Sequence, residues 1–157
     1  MRVRAIMTEA PVTSAVVLLV EDDVAVRDVI ARFLGSHGYE VVPVASAEEA
    51  LLVVESRRID ILVTDIVLPG LDGFNMAAEI ARRSHRMQMH FMSGQFDVSM
   101  ALAAGWAADT PVLRKPFALL DLLRMLREAS GLSGEAAAQG MASAADDTDR
   151  GPSGTTA

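Results

Sequence analysis

At 157 residues the chain has room for one domain with a substantial core, and aromatics make up only 4%, so that core must be aliphatic and filled in with methionine. A net charge of −7 argues against nucleic acid as the main partner, and the lack of cysteine excludes disulfides and thiolate metal sites. No apolar run reaches the ~18 residues of a membrane-spanning helix, and residues 1–15, with Arg2, Arg4, Glu9 and Pro11, contain no signal-peptide core; a cytoplasmic protein with no membrane partner is expected.

Residues 1–15 read as a loose N-terminal extension. Val16–Val20 (VVLLV) is a continuous apolar run and a buried strand. Glu21, Asp22 and Asp23 follow at its carboxyl end. Asp23 can cap a helix over Val24–Ser36 with Val26, Val29, Ile30, Phe33 and Leu34 as its apolar stripe. Residues 39–44 form a second strand. Ser46 then caps a helix to about Ser56, with Glu49 completing a capping box. Residues 59–64 are the third strand, and Asp65 falls where it ends. Pro69-Gly70 and Asp72-Gly73 supply turn chemistry before a helix over 73–85, with Phe74, Ala77, Ala78, Ile80 and Ala81 inward.

A fourth strand over 88–92 ends at Ser93-Gly94. A short alanine-rich helix over 98–104, the loop 105–111 with the chain's one tryptophan, Trp106, and a short fifth strand, Val112–Arg114, come next. Lys115 and Pro116 follow directly. The last helix covers 118–129, with Leu119, Leu122, Leu123 and Leu126 as its stripe. Beyond Ser130 the chain is mostly Gly, Ala, Ser, Thr and Asp with almost no bulky apolar residue, and it cannot bury enough surface to order itself. The expected organisation is an extension over 1–15, a folded domain over 16–129 and a disordered tail over 130–157. Five strand–helix pairs joined by short loops imply an α/β fold, a doubly wound sheet of five parallel strands with right-handed crossovers.

Polar groups stand at four strand ends: Glu21 and Asp22, Asp65, Ser93, and Lys115. In a parallel sheet these ends share one edge, so the groups can converge in the crevice beyond it. Acids of this kind gather a hard divalent cation through oxygen. An aspartate among them can attack a phosphoryl group while an ammonium and a hydroxyl take up charge on the phosphoryl oxygens.

With VEDD at 20–23, TDIVLPGLDG at 64–73, FMSG at 91–94 and KPF at 115–117, the chain resembles the receiver domains of two-component response regulators over about residues 16–129. No one of these motifs is specific alone; all four in order, each at its own strand end, are. The resemblance implies a (βα)5 flavodoxin-like, CheY-like three-layer sandwich. It implies Asp65 as the phosphoacceptor and Mg2+ as the cofactor, held directly by Asp22 and Asp65, by the Val67 backbone carbonyl, and by Glu21 through a water. It implies Ser93 as the switch hydroxyl, Lys115 as the phosphate-sensing lysine, and a cis peptide before Pro116. The family often carries an aromatic switch residue three positions before the lysine, and Val112 stands there instead. The loop 105–111 is also longer than usual.

The implied function is acceptance of phosphate from a phosphohistidine on a sensor histidine kinase or phosphotransfer protein. Output would come through binding a downstream protein target, as adaptor or relay, since no output domain is seen; a monomer or weak dimer is expected, and not an enzyme in the ordinary sense. Two other readings exist. A degenerate receiver would bind partners without phosphorylation, although the acids, hydroxyl and lysine are intact. A haloacid-dehalogenase-like phosphatase would need a second acid two residues after the nucleophile, where this chain has Val67. His37, His85 and His90 have no metal-ligand spacing and read as surface or strand-face residues.

Overall fold

A computed structural model describes residues 14–84 and 86–131. The expected extension and tail fall almost wholly outside them, as does His85. The elements alternate as β1 (Val16–Val20), α1 (Val24–Ser36), β2 (Glu40–Val44), α2 (Ala47–Ser56), β3 (Ile61–Asp65), α3 (Gly73–Arg83), β4 (Gln88–Ser93), α4 (Val98–Ala103), β5 (Val112–Arg114) and α5 (Leu119–Gly131). The strands form one parallel sheet in the order β2-β1-β3-β4-β5.

Helices cover both faces of the sheet, which is why β1 and β3 read as unbroken apolar runs. Val17 to Val20 are fully buried, and every residue of β3 is buried. On one face Leu18, Val20 and Leu62 pack against Ala47 and Ala50 of α2, Phe74, Met76 and Ile80 of α3, and Ala101 of α4. On the other, Val17, Leu19, Ile61 and Val63 pack against Ile30 and Leu34 of α1 and Leu122 and Leu126 of α5. This is the expected three-layer sandwich.

Local chemistry starts the helices where the sequence predicts. Asp23 accepts from Val26 N–H, Asp72 from Asn75 N–H, and Asp97 from Ser99 N–H. At α2 the Ser46 hydroxyl accepts from Glu49 N–H at 3.2 Å. The Glu49 carboxylate reaches back to Ala45 N–H at 2.9 Å, one residue earlier than the reciprocal box requires.

Several expectations shift. β3 runs to Asp65 and β4 to Ser93, so both polar residues are the last of their strands rather than the first of the loops. α3 stops at Arg83, because Ser84 is already extended. Val29 leaves the α1 stripe: it is 53% exposed, while Ile30 and Leu34 bury the helix. One position is a rotation of about 100° on a helix, and Val29 lines instead an open groove of about 590 Å³ with Pro116, Phe117 and Leu119. Met76, outside the predicted α3 stripe, is fully buried. His90 is the strand-face residue of the two readings, buried on β4.

Candidate functional site

The strand order turns between β1 and β3. Chain from β1 leads outward to β2 on one side, and β3 onward builds the other. A crevice opens at the carboxyl edge where such a reversal occurs, and β1 and β3 deliver Glu21, Asp22 and Asp65 to it. Carboxylate oxygens of these three residues lie within 4.8 Å of one another.

Asp65 ends β3 nearly buried. Its Oδ1 accepts from Val67 N–H at 3.1 Å and its Oδ2 from Lys115 Nζ at 2.7 Å. Lys115 Nζ also donates to Glu21 Oε2 at 2.5 Å. The lysine thus bridges the acids of β1 and β3 from the end of β5, 94 and 50 residues away in the chain. Its own N–H donates to the Ser93 carbonyl at 2.9 Å, and the Lys115–Pro116 peptide bond is cis. Glu21 is 1% exposed, and its Oε1 accepts from Asp23 N–H at 3.2 Å. Asp22 is exposed.

Burial pushes the Glu21 carboxyl above its ordinary range, opposed by the Lys115 hydrogen bond and assisted by the neighbouring charge of Asp65. Burial alone would draw the Lys115 ammonium down; its hydrogen bonds to Asp65 and Glu21 outweigh that and hold it above its usual value. Among the described residues three carboxylates meet one ammonium, with the Arg27 guanidinium at the Glu21 carbonyl behind them, so the cluster is short of positive charge. An all-oxygen donor set with such a deficit fits a hard divalent cation. Val67, placed beside Asp65, can offer a backbone carbonyl to the same ion.

Asp65, Val67, Ser93, Gly94, Gln95 and Lys115 line a cleft of about 280 Å³. The Ser93 hydroxyl is at its wall but is turned away from the acids. It accepts from Gln95 N–H at 3.0 Å and donates to the Gln95 carbonyl at 2.5 Å. Val112 sits in register with Phe91 on β4. The space above Phe91 is filled from elsewhere: Trp106 meets that ring edge-on, with centroids 5.1 Å apart.

Two residues that shape the Asp65 backbone are not marked by the strand-end pattern. The buried Thr64 hydroxyl donates to the Asp65 carbonyl at 2.8 Å. Gly73 donates its N–H to the Ile66 carbonyl at 2.8 Å, and a Cβ there would run into the Asp65 carbonyl. A hydroxyl directly before the acid and a glycine opening the next helix are the only sequence traces of these contacts.

The match to known proteins spans these residues. Residues 17–127 match the response regulator receiver domain, and the chain belongs to that family. It is 36% identical over 116 residues to nodulation protein W of Bradyrhizobium diazoefficiens, an alignment covering 74% of this chain and 51% of that protein. Its fold is similar to that of the chemotaxis response regulator CheY4 of Vibrio cholerae, with a TM-score of 0.65 and 26% identity over 74% of this chain and 98% of that one. It is also similar to the response regulator TrrA of Thermotoga maritima in complex with Mg2+ and BeF, with a TM-score of 0.64 and 25% identity over 73% and 97%. The chain spans about half or less of the length of the curated relatives it matches.

Receiver domains are the phosphoaccepting signalling partners of sensor kinases or phosphotransfer proteins in two-component systems, with Mg2+ held in an acidic pocket. Among the described residues no helix is long and apolar enough to cross a membrane.

Proposed function

We propose that Asp65 is the phosphoacceptor of this chain and takes its phosphoryl group from a phosphohistidine, with Mg2+ bound by Asp22, Asp65, the Val67 carbonyl and, through a water, Glu21. The observation that carries the reading is Lys115 Nζ donating to Asp65 and Glu21 at once, which sets an ammonium against the one acid that also faces the cleft. The ion supplies positive charge that offsets the phosphoryl oxygens. An Asp65 carboxylate oxygen forms the new bond to phosphorus as the phosphorus–nitrogen bond of the donor breaks and the imidazole leaves. Lys115 follows the charge onto a phosphoryl oxygen, and the Ser93 hydroxyl donates to another. Output is the binding of another protein, as adaptor or relay, by a monomer or weak dimer.

Incubation with Mg2+ and a small-molecule phosphodonor, read by intact mass, tests the assignment. The wild type should gain one phosphoryl mass, lost when EDTA replaces Mg2+ and in Asp65→Asn. Labelling of a folded Asp65→Asn variant to the wild-type extent would overturn it.

A further inference from the structure

We propose that Arg27 is a positioning residue for the cation site. It holds the peptide from which Asp22 hangs. The inference rests on the Mg2+ reading above and goes beyond it by naming what aims the exposed acid.

Glu21 is anchored at all four of its polar positions. Its N–H donates to the Val44 carbonyl at 3.2 Å, and its two carboxylate oxygens accept from Asp23 N–H and Lys115. Its carbonyl accepts from Arg27 Nη1 at 2.8 Å. That carbonyl belongs to the peptide joining Glu21 to Asp22, so the arginine fixes the plane on which the Asp22 Cα is set. Asp22 has no comparable support of its own: it is exposed, and no described residue bonds its carboxylate. Its direction is therefore inherited from the backbone, and the last tie on that backbone is Arg27.

The position of Arg27 makes the contact possible. It lies one turn into α1, with its N–H on the Asp23 carbonyl at 2.9 Å. Helical side chains lean toward the N-terminus, so a long side chain here reaches back over the cap to the loop. Charge does not explain the placement. A cation in the first turns opposes the helix dipole, and it opposes a bound metal ion as well. The guanidinium forms no ion pair with a carboxylate among the described residues. What it does form is a charge-assisted bond to a main-chain carbonyl, half-buried and directional.

Electrostatics and positioning predict opposite signs, which makes the test clean. Removing a positive charge beside a cation site should tighten Mg2+ binding if charge is all that matters. Removing the tether should loosen it. Thermal melts across a Mg2+ titration give the affinity of the full chain without any phosphotransfer. Arg27→Met keeps the apolar stem and should weaken Mg2+ binding about tenfold, as loss of a metal-site outer partner does, with the melting temperature in EDTA changed far less. Arg27→Lys keeps a donor and should recover part of the affinity. Arg27→Gln, a neutral donor, covers the case in which the Met variant does not fold, and it should lie between Met and wild type. Equal or tighter Mg2+ binding in folded Met or Gln variants would overturn the inference and leave the phosphoacceptor reading intact. A wild type that gains no stability from Mg2+ would overturn the metal reading and this inference with it.

Discussion

The indole Nε1–H of Trp106 donates to the Phe74 carbonyl at 3.1 Å, joining the α4–β5 loop to the first turn of α3. Phe74 follows Gly73, whose own N–H is bonded to Ile66, the neighbour of Asp65. The Trp106 ring packs on Phe91, and Phe91 and Phe74 pack with centroids 4.6 Å apart. Phe96, next to Gln95, joins them at 6.1 Å from Phe74. Two routes thus leave the cleft, one through Gly73 and Phe74 and one through Ser93, Gln95 and Phe96, and both end at one aromatic cluster.

Trp106 should therefore report activation. The Ser93 hydroxyl has one proton, now given to the Gln95 carbonyl, and a phosphoryl group on Asp65 would compete for it with a charge-assisted bond worth about 1.5–3 kcal/mol. Val112 is short and stiff at χ1, so it cannot move as a ring would; the Gln95–Phe96 loop and Trp106 must adjust instead. Beryllofluoride with Mg2+ should shift Trp106 fluorescence, and Ser93→Ala should blunt the shift while phosphorylation persists. No shift on full loading, or an undiminished one in Ser93→Ala, would count against this coupling.

Asp22 offers a test of the metal site with little structural consequence. Its exposed carboxylate makes no bond to a described residue, and neutralising it relieves repulsion from Glu21 and Asp65, so Asp22→Asn in EDTA should be at least as stable as the wild type. The increase in melting temperature on adding Mg2+ should be largely lost. A variant that responds to Mg2+ as the wild type does would remove Asp22 from the ligand set.

His90 should make the fold acid-sensitive. Burial draws its imidazole from 6.5 to about 4, and its Nε2 has no hydrogen-bond partner among the described residues. The unfolded chain then binds a proton that the native chain refuses. The resulting stability is present above pH 6.5 and is lost as pH falls through about 4, a span that corresponds to roughly 3 kcal/mol by linkage. His90→Leu should be at least as stable at pH 7 and should flatten the decline of the urea midpoint between pH 6.5 and 4. Parallel pH curves for the two proteins would refute the assignment.

Gly73 and Gly35 should respond oppositely to alanine. A Cβ at Gly73 meets the Asp65 carbonyl, a backbone group that cannot step aside, whereas nothing lies within 4 Å of one at Gly35 in α1. Gly73→Ala should cost about 1–3 kcal/mol and slow phosphorylation of Asp65. Gly35→Ala should stabilise by about 0.5–1 kcal/mol, because it removes backbone freedom from the unfolded chain. Urea melts of both variants decide the point; a harmless Gly73→Ala would mean that the α3 start can move away from Asp65.

Strands, helix starts and the edge bearing the acids were legible because each depends on neighbours in sequence. Apolar runs such as Val16–Val20 specify buried strands, Asp23, Ser46 and Asp72 specify helix starts, and parallel connections send Glu21, Asp22, Asp65, Ser93 and Lys115 to one edge. The direction of individual polar groups was not legible. Ser93 Oγ turns to Gln95, Arg27 takes a carbonyl rather than a carboxylate, Trp106 reaches α3, and His90 Nε2 is buried on β4 with no hydrogen-bond partner among the described residues. A hydrogen bond between segments requires both partners to be set within a few tenths of an ångström, and that depends on how the helices pack on the sheet. Periodicity chooses the face of an element; only packing chooses its rotation and depth, which is why Val29 leaves the core while Met76 enters it.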